Sequence, residues 1–213
     1  MNMPFSSLNS HGRALAAALA LVIIGAGTWW AITSARSEDA IRVPTRVCKD
    51  RISGREIAPL LPTKGDEIEE EEVGFTITGP GGSCQLKVGD QDALVVYSHG
   101  TEKSSRERIQ SKGIPASLGD AYGYLSDEGE ISLSISCASS APVGDKDRLV
   151  VGTYASVVQS NVRASGEPNK STKGLRALSA FTAQAARDLA QDWFKCPGAD
   201  RLPDGPVTIH WER

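Results

Sequence analysis

The chain has 213 residues, of which 40% are hydrophobic and 23% are charged, and its formal net charge is −3. That length can bury the core of one or two domains, and that composition excludes a chain that is disordered throughout. Because the chain carries no net positive charge, we expect no nucleic-acid partner.

The longest uncharged apolar run lies at residues 14–33 and reads ALAAALALVIIGAGTWWAIT. Twenty helical residues rise about 30 Å, the hydrocarbon thickness of a bilayer. Trp29 and Trp30 fall near the end of the run, where indole rings prefer the headgroup region. The run is longer than the apolar core of a signal peptide. We predict a transmembrane anchor, and the alternative is secretion after cleavage near Ala35.

The anchor divides the chain into four predicted segments. These are a cytoplasmic tail at 1–13, the anchor at 14–33, a polar linker at 34–46 and an extracytoplasmic domain at 47–213. The charges that flank the anchor do not favour this orientation, but long domains translocate largely regardless of flanking charge. The sequence therefore predicts a single-pass protein of the cell membrane with its C-terminal domain outside the cytoplasm.

All four cysteines lie beyond the anchor, at Cys48, Cys84, Cys137 and Cys196. An even number behind an export signal is typical of disulfide bonds, and the alternative is four buried thiols in a cytoplasmic domain. No pair has the C-x-x-C spacing of zinc or thioredoxin-type sites. The simplest pairing is Cys48 with Cys84 and Cys137 with Cys196, but four cysteines allow three pairings and the sequence leaves the choice open.

Two polar stretches follow the first cysteine. Residues 53–56, Ser-Gly-Arg-Glu, have the spacing of a capping box and predict a short helix that ends near Leu61. Residues 64–72 read KGDEIEEEE. A calcium loop needs spaced ligands with a glycine among them, so this run is expected to be a solvated loop.

A near-repeat links VGDQDALVV at 88–96 with VGDKDRLVV at 143–151. Each unit reads as a strand, a Gly-Asp turn and a second strand, so we predict two equivalent hairpins of one sheet. The Asp-x-Asp turns supply few oxygens for calcium, which takes six or more. Local turn chemistry is therefore favoured over a metal site.

The remaining segments predict further strands and a long helix. Strands are expected at 121–125 and 130–137. In the second of them apolar residues alternate with serines, which we expect to face water, and the alternative is that they line a shallow groove. Residues 101–112 are expected to form a loop or an exposed helical turn, and 155–174 a strand end followed by a loop. The spacing of apolar residues predicts a core-facing helix from about 175 to 196, and 207–211 alternate as an edge strand does. The helix stripe consists of Leu178, Phe181, Ala185, Leu189 and Trp193.

The sequence contains no catalytic motif. It lacks G-x-S-x-G, H-E-x-x-H, G-x-x-x-x-G-K and a strand followed by G-x-G-x-x-G at a helix start. His11 precedes the anchor, which leaves His99 and His210, too few for a histidine metal site. We expect His99 to be a surface residue at a strand end. We therefore predict no catalytic, cofactor-binding or metal-binding residues and do not expect an enzyme.

The order of these features resembles that of a known family. A short helix follows Cys48, strands begin at Cys84-Gln85-Leu86 and at a Leu-Val-Val run, and the segment Leu118-Gly119-Asp120-Ala121-Tyr122 precedes two more strands and the long helix. Over about residues 48–196 this order resembles actinobacterial extracytoplasmic lipoprotein-type domains of unknown function, which have a PsbP-like α+β fold. The chain departs from them in its uncleaved helix, which replaces a lipid anchor, and in Cys137 and Cys196. The resemblance implies the fold and no catalytic residue.

Together these features predict an α+β protein. An N-terminal transmembrane helix is followed by one antiparallel-sheet domain, which is packed by a short N-terminal and a long C-terminal helix. We expect a membrane-anchored binding or interaction module of the cell envelope, with no cofactor and with a membrane or envelope protein as a candidate partner. The alternatives are an accessory or sensor subunit of a membrane complex and an envelope enzyme with an unrecognised site. The oligomeric state stays open.

Overall fold

A computed structural model describes residues 40–65, 67–100, 105–137, 148–166, 168 and 172–211. Within these ranges, no helix combines the length and the apolar character that crossing a membrane requires. The predicted anchor at 14–33 and the predicted turn at 143–147 lie outside the described residues.

An eight-stranded antiparallel sheet forms the centre of the domain. A separate two-stranded hairpin, β1 (Arg46–Val47) and β2 (Ile52–Ser53), precedes it. The strands of the large sheet are β3 (Glu69–Val73), β4 (Gly81–Val88), β5 (Gln91–Gly100), β6 (Ile114–Leu118), β7 (Ala121–Leu125), β8 (Ile131–Ser136), β9 (Arg148–Ala155) and β10 (Thr208–Ile209). Their order across the sheet is β10-β6-β7-β8-β9-β5-β4-β3. The predicted α+β class with one antiparallel sheet is confirmed.

The two near-repeat units contribute to neighbouring pairs of strands. Strands β4 and β5 are joined by Gly89 and Asp90, and Gly89 has a φ of +57°, which favours glycine. Strands β8 and β9 also pair antiparallel, and β9 pairs with β5. The predicted hairpin is confirmed for the first unit. Residues 148–151 of the second unit lie in β9 of the same sheet, and the rest of that unit lies outside the described residues.

Helices pack against the sheet. They are α1 (Arg106–Gln110), α2 (Ser156–Ser165) and α3 (Lys173–Arg187), and α3 continues as a π-helical segment, Asp188–Trp193. The predicted stripe on the long helix is buried throughout. On this inner face the Thr153 hydroxyl of β9 lies 2.5 Å from the Thr182 hydroxyl of α3. The long helix therefore packs on the face that carries the odd-numbered residues of β9.

The π-helical segment widens the helix by one residue, since the Phe194 amide donates to the Leu189 carbonyl at 2.8 Å. The widening lets both Trp193 and Phe194 pack against Tyr97, with ring centroids 5.4 and 5.0 Å away. These rings close the inner core at one end of β5.

The predicted capping box at 53–56 is wrong. Ser53 lies in β2. Its amide donates to the buried Asp188 carboxylate and not to the Glu56 side chain that a capping box would use. The predicted helix is a single 3₁₀ turn, Ala58–Leu60, that begins without a side-chain cap. It ends at Leu61 as expected.

The prediction of a loop across 64–72 is wrong for its second half, because Glu69–Val73 form strand β3. Strand β3 pairs with β4 and is the last strand of the sheet. Consecutive glutamates are poor strand formers, but at this edge Glu69, Glu70 and Glu71 are exposed and discourage pairing with other chains.

The prediction of a loop over 155–174 is also wrong, because Ser156–Ser165 form helix α2. Its polar and β-branched residues have weak helix propensity. Val158 and Val162, one turn apart, are buried, so tertiary packing stabilises this helix.

The domain begins inside the segment predicted to be a linker. Ala40 pairs with Lys64, and the Ile41 amide donates to the Thr63 carbonyl at 3.2 Å. Ile41 and Val43 pack against the hydrophobic core. Residues 40–46 therefore belong to the compact unit that starts at Ala40.

The four cysteines form two disulfides, Cys48–Cys84 and Cys137–Cys196. Their Cα atoms are 5.7 and 4.5 Å apart, within the range of disulfides. The prediction of disulfide bonds is confirmed, and the pairing is the one that was predicted as the simplest of the three.

Candidate functional site

The face of the sheet opposite α3 carries an unusual set of polar side chains. We call it the outer face and define it by Tyr122 and Tyr124 of β7, Ser132 and Ser134 of β8, and Arg148 of β9. Each tyrosine lies opposite a serine of the neighbouring strand. Tyr122 is the cross-strand partner of Ser134, and Tyr124 is that of Ser132. This face brings tyrosine, serine and arginine side chains of three neighbouring strands together.

The serines of β8 are less exposed than the sequence predicted. Ser132 is 8% exposed and Ser134 is 3% exposed, although alternation placed both on the wet side of the strand. The larger side chains beside them, the tyrosines of β7 and Arg148, cover these short hydroxyls. The expectation that these two serines face water is therefore wrong, because alternation predicts the face and not what covers it.

Arg148 is held in one orientation on this face. Its Nε donates to Ser134 Oγ at 2.5 Å, and its Nη2 donates to the Ser134 carbonyl at 3.1 Å. Its Cζ lies 4.5 Å from the ring centroid of Tyr122, which is a cation–π contact. Two of the five N–H donors of the guanidinium are therefore used on one edge, and the Nη1–Nη2 edge has no protein acceptor within the described ranges.

A cavity of about 150 Å³ lies beside Arg148. We call it the arginine cavity, and its polar lining consists of Asp120, Tyr122, Ser136, Arg148 and Arg201. At about 30 Å³ per water molecule, the volume corresponds to about five waters, so it suits a single carboxylate or phosphate group and is too small for a whole drug-sized ligand.

The second disulfide builds one wall of the arginine cavity. Cys137 directly follows β8, and Cys196 directly precedes the cavity-lining segment 197–202. The bond therefore holds that segment, with Arg201, against the end of β8. The positions of the cysteines in the sequence do not connect them to Arg148.

Gly198 makes room for the Arg201 guanidinium. A Cβ on Gly198 would lie 2.7 Å from Arg201 Nη2, and Gly198 has a φ of +78°. A side chain at this position would displace the guanidinium, and the positive φ would strain its backbone. The glycine thus admits the second arginine to the cavity.

The arginines of this region lack acidic partners in the described part of the chain. No described carboxylate lies within ion-pairing distance of Arg148 or Arg201, and Asp120 is an exposed member of the cavity lining. An arginine edge of this kind is suited to pair with both oxygens of a carboxylate or phosphate.

Titratable groups with shifted pKa values lie further along the outer face. Burial, and then the charge of Glu128, raises the pKa of Glu130. Burial, and then the charge of Glu130, raises the pKa of Tyr124. Both groups therefore hold their protons to higher pH than usual, which lessens the negative charge beside the serines in mildly acidic solution.

One group of side chains has the spacing of metal ligands, but most of its ligand atoms already have partners, and Glu72 Oε1 is buried without one. Potential ligand atoms of Glu70, Glu72 and Cys84 lie within 4.8 Å of one another. The sulfur of Cys84 is bonded to Cys48. Lys49 Nζ lies 2.5 Å from Glu72 Oε2, and the Lys49 amide donates to Glu70 Oε1 at 3.0 Å. This arrangement is a structural clamp on strand β3.

The structure also brings Ser117 and His210 together, with Oγ and Nε2 2.9 Å apart. His210 is exposed and accepts or donates no further bond to a carboxylate among the described residues. Nucleophilic serines need a base that a third group orients. The pair therefore lacks the third group of a catalytic triad, and it joins β6 to the residue that follows β10.

His99 does not lie on the surface as predicted. It is half-buried on the inner face, and its ring centroid is 4.5 Å from that of Phe194 in an edge-to-face arrangement. The π-helical widening places Phe194 at this position. The sequence pattern gives no sign of that widening.

A second concavity, of about 220 Å³, lies between the start of α3 and the C-terminal strand. Its lining is mostly apolar and includes Leu175, Val207, Ile209 and Trp211.

No protein-family model, curated protein or solved structure matches the chain. The resemblance to extracytoplasmic domains with a PsbP-like fold therefore stays a prediction.

Proposed function

We propose that this protein is a non-catalytic binding module, tethered to the cell membrane by residues 14–33, whose extracytoplasmic domain binds an anionic group of an envelope ligand in the arginine cavity. The observation that carries the proposal is the open edge of Arg148. The guanidinium is oriented by Ser134 and Tyr122, is half-buried and has no carboxylate partner in the described ranges.

Orientation matters because a free arginine side chain loses conformational entropy when it binds. Here Ser134 and the Tyr122 ring already hold the guanidinium, so a ligand meets a preformed donor edge. A charge-assisted bidentate bond at such an edge is stronger than a neutral hydrogen bond.

The two disulfides support an oxidising compartment for the domain. The apolar run at 14–33 supports a membrane tether, and the absence of a catalytic motif in the sequence supports binding over catalysis. The order of the strands and the long helix supports kinship with the PsbP-like extracytoplasmic domains.

Isothermal titration of the full chain in detergent tests the proposal. The probes are galacturonate, which carries one carboxylate, and inorganic phosphate. We expect at least one of them to bind, and R148Q to weaken that binding by about tenfold or more, because a hydrogen bond to a charged group contributes about 1.5–3 kcal/mol.

Two further variants make this test independent of folding defects. Arg201 is exposed, so R201Q should weaken the same binding without lowering the melting temperature. Arg55 is exposed and does not line the cavity, so R55Q is the matched control and should bind as the parent does. Binding that R148Q and R201Q leave unchanged, or no binding of either probe, would overturn the proposed function.

A further inference from the structure

The lining of the arginine cavity contains an acid as well as two arginines. Asp120 is exposed at the turn between β6 and β7, and it lines the cavity together with Arg148 and Arg201. Among the described residues, no carboxylate lies within ion-pairing distance of either guanidinium. The cavity therefore presents a carboxylate and guanidinium groups that do not pair with each other.

The register of the sheet places Asp120 and Arg148 on opposite sides of Ser136. Ser136 of β8 is the cross-strand partner of Arg148 of β9. On the other side of β8, Ser134 is the partner of Tyr122. Asp120 precedes Tyr122 by two residues, so the same register continues from Ser136 towards Asp120, and both line the cavity. The acid and the arginine thus start from backbone positions about two strand spacings, or about 10 Å, apart.

From this placement we infer that the arginine cavity binds a small α-amino acid as a zwitterion, with its carboxylate at Arg148 and Arg201 and its ammonium group at Asp120. The inference rests on the proposed function and names the class of its ligand.

The charges of the lining are the first reason for a zwitterion. A ligand with anionic groups alone would pair with the guanidiniums but would also bring negative charge beside Asp120, which repels it. An ammonium group next to the carboxylate of the ligand turns that repulsion into attraction. The guanidiniums are donors only, and the Asp120 carboxylate is an acceptor only, so together they match the two ends of an α-amino acid.

The contacts of Arg148 are the second reason, because they keep it apart from Asp120. Its Nε and Nη2 donate to the hydroxyl and the carbonyl of Ser134, and its Cζ lies 4.5 Å from the ring centroid of Tyr122. A direct ion pair with Asp120 would neutralise both groups. Since Ser134 and Tyr122 hold the guanidinium, both charges stay available to a ligand that lies between them.

The size of the cavity is the third reason. Its volume of about 150 Å³ corresponds to about five water molecules, and therefore to about five non-hydrogen atoms. In an α-amino acid a single carbon atom separates the carboxylate from the ammonium group. A molecule as small as glycine or alanine therefore already carries both charges that the lining complements.

The test compares three small molecules that share parts of one structure. Glycine carries both charged groups, acetate lacks the ammonium group, and methylamine lacks the carboxylate. Each is titrated into the full chain in detergent and followed by calorimetry. We expect glycine to bind at least about threefold tighter than acetate and than methylamine, since the contact at an exposed carboxylate such as Asp120 is partly screened by water.

Variants assign the two ends of the ligand. D120N should weaken binding of glycine by about threefold or more and should leave binding of acetate unchanged or tighter, because it removes an attraction from the first and a repulsion from the second. Binding of acetate by D120N also shows that the cavity is intact in this variant. R148Q should weaken binding of both. Asp127 is an exposed acid that does not line the cavity, so D127N is the matched control and should change neither.

The outcomes distinguish the inference from the proposed function. If galacturonate or phosphate binds in an Arg148-dependent manner but glycine binds no tighter than acetate, the inference is overturned and the proposed function stands. The same holds if D120N leaves binding of glycine unchanged, or if D127N weakens it as much as D120N does. If none of the probes binds in an Arg148-dependent manner, both are overturned.

Discussion

The carboxylate of Asp188 accepts a hydrogen bond from the backbone amide of Ser53 at 2.7 Å, across a separation of 135 residues. Its other oxygen accepts from Gln184 Nε2 at 2.8 Å. Asp188 stands where α3 becomes π-helical, and it is only 6% exposed. One buried acid thus joins the first hairpin of the domain to its last long helix.

Replacement of Asp188 should therefore weaken the link between the first hairpin and the long helix. We expect D188A to lower the free energy of unfolding by about 1–3 kcal/mol, because it leaves the Ser53 amide without its acceptor. Urea denaturation followed by circular dichroism measures the change. D192A removes an exposed neighbouring acid and is the matched control. A stability equal to that of the parent would show that the bond contributes nothing.

The pH dependence of stability should also report on Asp188. Burial raises the pKa of this carboxyl, the bonds from Ser53 and Gln184 and the nearby Arg46 oppose the rise, and Asp192 adds to it. The folded protein therefore keeps this proton to higher pH than the unfolded chain, and the associated stability is lost as pH rises through the folded pKa. The melting temperature of the parent minus that of D188N should be larger at about pH 4 than at about pH 7. A constant difference would contradict the raised pKa.

The buried pair Thr153 and Thr182 allows a double-mutant test of the packing between β9 and α3. The Thr182 hydroxyl also donates to the Leu178 carbonyl at 2.7 Å, so the Thr153 hydroxyl must donate to Thr182. We expect T182V to cost about 1–3 kcal/mol, because it leaves the buried Thr153 hydroxyl without an acceptor. The double variant T153V/T182V should recover part of that loss. Losses that simply add would show that the two hydroxyls do not interact.

Of the two acids in the first Asp-x-Asp sequence, Asp92 should matter and Asp90 should not. Asp92 Oδ2 accepts from Gln85 Nε2 and from the Tyr154 hydroxyl, each at 2.5 Å, whereas Asp90 is exposed at the turn. Burial, followed by the bond to Asp92, raises the pKa of Tyr154 to about 12. D92A should lower the free energy of unfolding by about 1–3 kcal/mol and D90A by much less. Because Asp92 is committed to these donors, added calcium should leave the melting temperature unchanged, and a rise of several degrees would contradict this assignment.

The two disulfides should be similar in their effect on stability and different in their effect on binding. They close loops of 36 and 59 residues, for which the chain-entropy model gives about 4 kcal/mol each. C137S/C196S should also weaken galacturonate or phosphate binding, because this bond holds Arg201 at the cavity. C48S/C84S is the matched control and should retain binding. Equal loss of binding in both variants would mean that general destabilisation, and not the position of Arg201, governs affinity.

Several elements could be predicted because their signals are local. Gly89 and Asp90 between two β-branched runs predict a hairpin, and the spacing of Leu178, Phe181 and Leu189 predicts a buried helix stripe. The elements that were missed depend on distant contacts. Helix α2 forms because Val158 and Val162 find a place to pack, and strand β3 forms because β4 offers its edge. Neither partner is visible within a short window of sequence.

The candidate site shows the same division. Apolar periodicity, the number of cysteines and the residue types by themselves determined the α+β class, the disulfide-bonded domain and the absence of a catalytic motif, since these are properties of the sequence. Only the tertiary structure decided that Arg148, Tyr122 and Arg201 share one cavity. Strand pairing sets Tyr122 beside Ser134, and the Cys137–Cys196 bond returns the end of the long helix to the end of β8. A guanidinium becomes a binding group through the orientation and burial that such long-range contacts impose, and residue identity alone does not encode them.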